Sequence, residues 1–448
     1  MNKKKIVIIG GGISGLTRAY FLTKKGIDVT LLESRNVVGG SMRTINKDGY
    51  LIDLGPNSGL ETTPLIKQMV DELGLSNQFV YANEVGNNRY ILKNGNLLTL
   101  PTSAGAFFKS KLFSTKAKLR LMAEPFIGKS DDGYYQSISE FVSRRLGSEF
   151  LDYAIDPFVS GVYAGDPAKL SVKSAFPKLY RLEELYGGLI KGMIKGAKER
   201  KTRNEESKQS AKMFSFKDGM QALPNAIAEY LGERVKLNSS VESVTKSGNG
   251  YKVSFNVNGV PAEIESDEVI SAVPAYIAAK LFDKIDHDLA SHLNAIHYPT
   301  VMVVYLGYDK LKIRRELDGF GFLIPSKEKQ NFLGAIWSST IFPNRAPKWK
   351  AGFTIFVGGA KKQDYNWENP NEIITAFLPQ FEKIMKITGS PELIEYNVWK
   401  HAIPQYNIGY IEHENYFRQF EKNNPGLFLS ANYRGGISVG DCIKTNGE

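Results

Sequence analysis

Four residues near the start of the chain have the types and spacing to hold a phosphate and a ribose. Glycines at 10, 12 and 15 fit G-x-G-x-x-G, and Glu33 follows where a carboxylate would accept hydrogen bonds from a ribose. Gly10 allows the tight turn, Gly12 lets the backbone approach a pyrophosphate, and Gly15 lets a helix pack close to a strand. A lone glycine loop carries little weight, so the flanking elements decide. Ile6-Val7-Ile8-Ile9 reads as a strand buried on both faces. Leu16, Ala19, Tyr20 and Leu22 recur at helical spacing between residues 14 and 25, and Gly26 is the stop. Val29, Leu31 and Leu32 form a second strand ending at Glu33. The helix start would present unpaired N–H groups to the phosphates. Together these predict a dinucleotide-binding βαβ unit.

The composition bounds the rest. A chain of 448 residues has room for about two or three domains, and 42% hydrophobic with 23% charged residues describes a globular protein with ample core. The single cysteine, Cys442, excludes an internal disulfide and any zinc site built on several cysteines, and fits a reducing compartment. Histidines at 287, 292, 297, 401 and 413 lack ligand spacing, so no metal is indicated. Lys3-Lys4-Lys5 before an apolar run suggests a signal peptide, but Arg18 interrupts the run and no small-residue cleavage site follows. The apolar run 301–306 is far too short to span a bilayer, so the expected location is the cytoplasm, or a membrane surface that the chain does not cross.

The net charge of +10 is concentrated. Residues 109–129 carry Lys109, Lys111, Lys116, Lys118, Arg120 and Lys129 against Glu124, and residues 191–212 carry eight basic residues against Glu199, Glu205 and Glu206. Each stretch is net +5, which together accounts for the whole excess. Two readings stand: solvated helix faces, or a patch for anionic lipid to which Phe107, Phe108, Leu112, Phe113, Leu189, Ile190, Met193 and Ile194 add apolar contact. No nucleic-acid motif accompanies the charge.

Further along, 50–52 reads as a strand, 64–73 as a helix, and 88–95 as a hairpin with an Asn-Gly turn. Residues 101–212 are mainly helical; within them, composition makes 156–167 a loop and 200–212 a mobile lysine-rich loop. A helix at 223–231 precedes short strands at 235–237, 241–244, 251–257, 262–265 and 269–273. Strands at 301–306, 320–324, 332–336 and 353–357 then form a second, largely β domain.

The glycine fingerprint, terminal acid, Gly39-Gly40-x-x-Arg43-Thr44 and Asp53-x-Gly55-Pro56-Asn57, in that order, resemble the flavin-containing amine oxidase and protoporphyrinogen oxidase superfamily. Phe158-x-x-Gly161-Val162-Tyr163-Ala164-Gly165-Asp166-Pro167 is similar to a signature of the protoporphyrinogen oxidases specifically. G-F-L-I-P-S-K-E at 321–328, F-P-N-R-A-P at 342–347, H-A-I-P-Q-Y at 401–406 and N-Y-R-G-G-I-S-V-G-D-C at 432–442 extend the resemblance over nearly the whole chain. Ser438 and Gly440 depart from the family pattern.

The resemblance implies an α/β fold: a Rossmann-like FAD-binding domain of parallel sheet and helices, a β-rich substrate domain, and a helical, membrane-facing insertion. The FAD-binding parts would be 1–75, 213–275 and 425–448, with a substrate-domain arm at 76–100, the insertion at 101–212 and the substrate-binding domain at 276–424. FAD would be bound without a covalent link, since Cys442 sits at the wrong place in its motif to tether a flavin. Its expected ligands are Gly10, Gly12, Ser14, Gly15, Glu33, Gly40, Arg43, Gly55, Pro56, Asn57 and Val439, with Val241 against the adenine.

The implied reaction converts protoporphyrinogen IX or coproporphyrinogen III to the porphyrin in heme biosynthesis. A bridge carbon gives hydride to the flavin, oxygen is the acceptor, and a chelatase is a downstream partner. No catalytic side chain is demanded. Arg89 would pair with a substrate propionate; the alternative is a surface hairpin arginine. G-V-Y-A-G-D-P argues against another amine oxidase or a carotenoid desaturase relative. The intact fingerprint and Glu33 argue against a flavin-free binding protein like the dissociation inhibitors of small GTPases. Only six residues follow Cys442, so the expectation is a stunted terminal helix or a chain cut short.

Overall fold

The computed structural model describes residues 4–203 and 211–447, without the side chains of 197–203. The fingerprint forms as its spacing predicts: β1 (Lys5–Ile9), α1 (Ile13–Lys24) and β2 (Asp28–Leu32). They sit in a five-stranded parallel sheet ordered Val235–Lys236, β2, β1, Glu268–Ser271, Leu427–Leu429. Ile6, Val7, Ile8 and Ile9 are all buried, as a central parallel strand covered on both faces requires. A three-stranded antiparallel sheet, Ser239–Ser247, Gly250–Val257 and Val260–Ser266, abuts it.

A seven-stranded sheet forms the second layer. Its order is Leu393–Trp399, Val301–Asp309, Lys350–Gly358, Gly334–Ile336, Gly321–Leu323, Arg89–Lys93, Asn96–Thr99, and only the pair of Gly321–Leu323 with Arg89–Lys93 is parallel. Asn94 and Gly95 both have positive φ, the requirement of a tight type I′ hairpin turn. One face, with Tyr90, Phe322, Ala335, Phe353 and Ile355, forms a core with Phe377 and Phe381 of the helix Pro370–Met385. That helix and the edge strand Leu393–Trp399 are additions to the elements read from the sequence.

Residues 101–203 are helical, and 156–167 is not the loop that its composition suggested. Asp156–Tyr163 is an α-helix, ended by Ala164 in the left-handed conformation. It continues directly from a π-helical turn, Leu151–Ile155, in which the Asp156 N–H bonds the Leu151 carbonyl, so Pro157 sits where the helix is widened. Gly161 is there for space, because a Cβ would press into the Leu323 side chain. The expected lysine-rich loop is helical at its start, since the helix Leu189–Arg203 runs into it; residues 204–210 lie outside the described residues. A fully buried ion cluster ties the block together. Arg145 bonds Glu124 (2.9 Å) and Glu183, and donates to the carbonyls of Ile127, Gly128 and Gly187. Glu124 also accepts the N–H groups of Leu189 and Ile190, capping their helix.

The described chain ends in the helix Val439–Gly447, which starts inside the last motif because the Ser438 hydroxyl accepts the Asp441 N–H. It packs on α1, where a Cβ at Gly447 would meet Phe21.

Two helices, His287–Asn294 and Tyr410–Asn423, meet through His292 and His413, whose Nδ1 atoms lie 2.9 Å apart. Burial and then His292 hold the His413 pKa below the usual imidazole value, despite Glu412. Burial does the same for His297. A depressed histidine pKa means that the unfolded chain takes up protons more readily, so stability falls as pH drops below about 6.5. The urea midpoint should therefore be lower at pH 5.5 than at pH 7.5, and His413→Gln should flatten that difference.

Candidate functional site

At the nucleotide end, a Cβ on Gly15 would overlap the Gly10 carbonyl oxygen, so α1 approaches β1 as closely as backbone allows. Gly10 has φ +107°, which sharpens the turn. Gly12 is the N-cap of α1 and offers no side-chain acceptor, which leaves the first N–H groups of the helix open to an anion. Ser14 is buried beside Cys442, whose thiol burial pushes up to about 11. Glu33 is buried, accepts the Gly11 N–H at 2.7 Å and the Arg35 N–H at 2.9 Å, and so stands at the fingerprint. Ser239 donates its N–H to the Glu33 carbonyl, which brings half-buried Val241 within two residues of that acid.

Two further turns close on this loop. Gly12 pairs with Gly39, and a Cβ on Gly40 would lie 3.2 Å from the Gly12 Cα. A Cβ on Gly55 would overlap the Ser41 carbonyl, which locks the turn 53–57, Pro56 included, against 39–43. Asn57 is buried, donates to the Asp53 carbonyl at 3.1 Å, and among the described residues its Oδ1 has no partner. Arg43 is half-buried and has no carboxylate partner among the described residues. Val439 is buried at the start of the last helix.

The seven-stranded sheet turns its other face toward these loops. Its registers put Arg89, Ile91, Leu323, Ile336, Thr354 and Phe356 on that face. Leu323, Ile336 and Phe356 are half-buried, and among the described residues Ile336 and Phe356 join no apolar cluster. Together they form an apolar floor, covered at the Leu323 end by the helix Asp156–Tyr163. At one end lies the helix Asp156–Tyr163, which shows Phe158 and Val162, each 42% exposed, beside the Gly161 contact. At the other, Trp399 Nε1 donates to the Leu54 carbonyl at 2.7 Å and Tyr305 packs on Tyr50. Arg89 ends the floor, its guanidinium 5.4 Å from the Phe320 ring centre and without a carboxylate partner among the described residues. Although the residue as a whole is exposed, desolvation pulls its pKa below the usual value.

Residues 13–445 match the family described as flavin containing amine oxidoreductase. The chain belongs to this family. It is 33% identical to protoporphyrinogen oxidase 2 of Arabidopsis thaliana, covering 98% of this chain and 92% of that one. It is 31% identical to coproporphyrinogen III oxidase of Bacillus subtilis, covering 98% and 96%. A crystal structure assigned as a protoporphyrinogen oxidase from Exiguobacterium shares the fold, with a TM-score of 0.80 at 21% identity over 100% of this chain and 98% of that one.

The family cofactor is a flavin, and the residues fit one. The helix start is uncapped, the close approaches leave only glycine at 15, 40 and 55, a Cβ on Gly12 would meet no protein atom nearer than 3.9 Å, and among the described residues Asn57 Oδ1 is a buried acceptor without a partner. The floor residues Leu323, Ile336 and Phe356 are additions to the sequence reading. Their strands are apolar on both faces, so no alternation marks the lining side.

Gly15→Ala should force α1 away from β1. Because the obstacle is backbone, a loss of about 3 kcal/mol in urea unfolding is expected, the upper end of ordinary overpacking.

Proposed function

We propose that the chain oxidises a porphyrinogen to the porphyrin, with FAD held without a covalent link by the fingerprint, the 39–43 loop and the turn 53–57. The observation that carries this reading is the apolar floor Leu323–Ile336–Phe356, which ends at an unpaired arginine and adjoins those loops. Its relatives carry the names of protoporphyrinogen and coproporphyrinogen oxidases. When bound, FAD supplies the hydride acceptor, and oxygen is the proposed final oxidant.

The chain's own part is binding and orientation. Glu33 takes the ribose hydroxyls, the open end of α1 takes the pyrophosphate, and Val241 borders the adenine. Arg43 and the 53–57 turn face the ring system. The floor and the Phe158 helix bury the macrocycle, and Arg89 pairs with a propionate at the rim. Guanidinium meets a carboxylate through two parallel hydrogen bonds, which fixes the ring's rotation as well as its depth. Cys442, buried and held neutral, is placed to pack rather than to tether.

The propionate is unchanged by the reaction, so Arg89 should bind ground and transition states alike. Arg89→Ala is expected to raise KM with kcat nearly constant, at a cost of roughly 1.5–3 kcal/mol, or about tenfold to a hundredfold in kcat/KM. A parent KM on both porphyrinogens would return Arg89 to the surface reading.

We further propose peripheral membrane contact through residues 101–203. Leu112, Phe113 and Leu189, expected on an exposed face, are core, and Phe107 and Ile190 are half-buried; Leu112 and Phe113 lie between two helices and pack with Phe107 against Ile91 and Tyr153. Phe108, Met193 and Ile194 are exposed as expected, and Leu119, Met122 and Phe126 join them, Phe126 at 88%. Exposed Lys111, Lys116, Lys129, Lys191 and Lys195 lie on the same elements. Among the described residues no helix is long and apolar enough to cross a membrane. Vesicles with anionic lipid should bind the protein, and 1 M salt, which cuts the Debye length to about 3 Å, should release most of it. Equal binding to neutral vesicles would contradict the electrostatic part. A chelatase that consumes the product is a proposed partner on chemical grounds.

A further inference from the structure

We infer that Arg345 is a positioning residue for the cofactor, acting through Asp53 on the turn 53–57. This rests on the reading above, in which that turn faces the flavin. Arg345 and Asp53 are 2% and 3% exposed, and they come from different layers of the molecule. Arg345 Nε donates to Asp53 Oδ2 at 3.2 Å, and Nη2 lies 3.1 Å from the same oxygen. Nη2 also donates to the Ser215 hydroxyl at 2.7 Å, while Nη1 and Nη2 share the Phe216 carbonyl at 3.3 Å. The remaining Asp53 oxygen accepts the Thr44 hydroxyl at 2.7 Å and the Met220 N–H at 2.9 Å. Burial pushes the Asp53 pKa up, against the pull of Arg345 and these donors.

A buried ion pair contributes little net stability compared with apolar residues of the same volume. What it supplies is direction. One planar fork fixes the strand Met213–Phe216, the turn around Pro343–Arg345 and the end of Tyr50–Asp53 against one another. That geometry passes to the turn without slack. The Asp53 carbonyl holds the Asn57 amide, Gly55 presses on Ser41, and Asp53, Asn57 and Arg345 share one cavity of only about 10 Å³, room for no more than one water. The turn ends in Asn57 Oδ1, a buried acceptor with no partner among the described residues, which is the atom that the arrangement would hold in place for a ligand.

The test is reconstitution of flavin-free protein with FAD, read by FAD affinity and by the visible circular dichroism of the bound flavin. Arg345→Met alone strands a buried carboxylate, so the main variant is the double Asp53→Asn/Arg345→Met, which removes both charges. It should fold by far-ultraviolet circular dichroism yet bind FAD at least tenfold more weakly, with a changed visible band. Arg345→Lys keeps the charge but cannot reach Asp53, Ser215 and Phe216 together, and should fall between; if the double variant does not fold, Arg345→Lys decides on the same readouts. Parent affinity and parent spectrum in a variant of lower Tm would make the pair a strut and overturn the inference. Glu33→Ala separates the two levels. If it weakens FAD while the Arg345 variants do not, only this inference fails; if it too leaves FAD affinity unchanged, the placement of the cofactor fails.

Discussion

A buried ion pair, Asp53 with Arg345, ties a strand beside the fingerprint loops to a turn between strands of the seven-stranded sheet. The parallel sheet can hold a dinucleotide and the seven-stranded sheet can offer an apolar floor, but neither acts unless they are set at a fixed distance. Asp53 ends a strand on the fingerprint side, and Arg345 follows a short turn on the floor side. Trp399 on the Leu54 carbonyl and Tyr305 on the Arg345 carbonyl reinforce the same seam. The seam also carries an apolar cluster of Tyr50, Ile52, Leu54, Tyr305 and Leu393, and its polar bonds add direction to a contact that would otherwise slide.

Around that seam, most of the nucleotide end was legible in the sequence because it rests on close backbone approach. Gly15 against Gly10 and Gly55 against Ser41 leave no room for a Cβ, so glycine is the one residue that fits and its spacing is a readable mark. The Asn94-Gly95 hairpin was legible for a related reason, since both positions need positive φ. By contrast, 156–167 read as a loop because Pro157 and Gly161 count as helix breakers. The structure seats the first next to a π-helical turn and uses the second as a clearance for Leu323. F-P-N-R-A-P was recognised as a motif, yet nothing in its sequence says that Arg345 reaches a carboxylate 292 positions away.

The proposed floor was hidden by its own chemistry. A strand with apolar residues on both faces shows no alternation, so Leu323, Ile336 and Phe356 look like any buried residues. The helical block shows the opposite difficulty. Its apolar residues were visible, but which of them reach solvent depends on how the Arg145–Glu124–Glu183 cluster packs the helices, a tertiary fact. Leu119, Met122 and Phe126 are left outward, Leu189 is drawn inward beside that cluster, and Leu112 and Phe113 are buried against Ile91 and Tyr153.

The central claim is that the floor delivers a porphyrinogen to a bound flavin. Anaerobic mixing of the FAD-loaded protein with protoporphyrinogen or coproporphyrinogen tests it most directly, because binding and hydride transfer are read together in the flavin absorbance. Rapid bleaching by at least one of the two is expected; because three two-electron oxidations separate a porphyrinogen from the porphyrin, the yellow colour should return and porphyrin fluorescence should rise once air is admitted. A flavin that stays oxidised in the presence of both, yet bleaches with a simple amine, would contradict it.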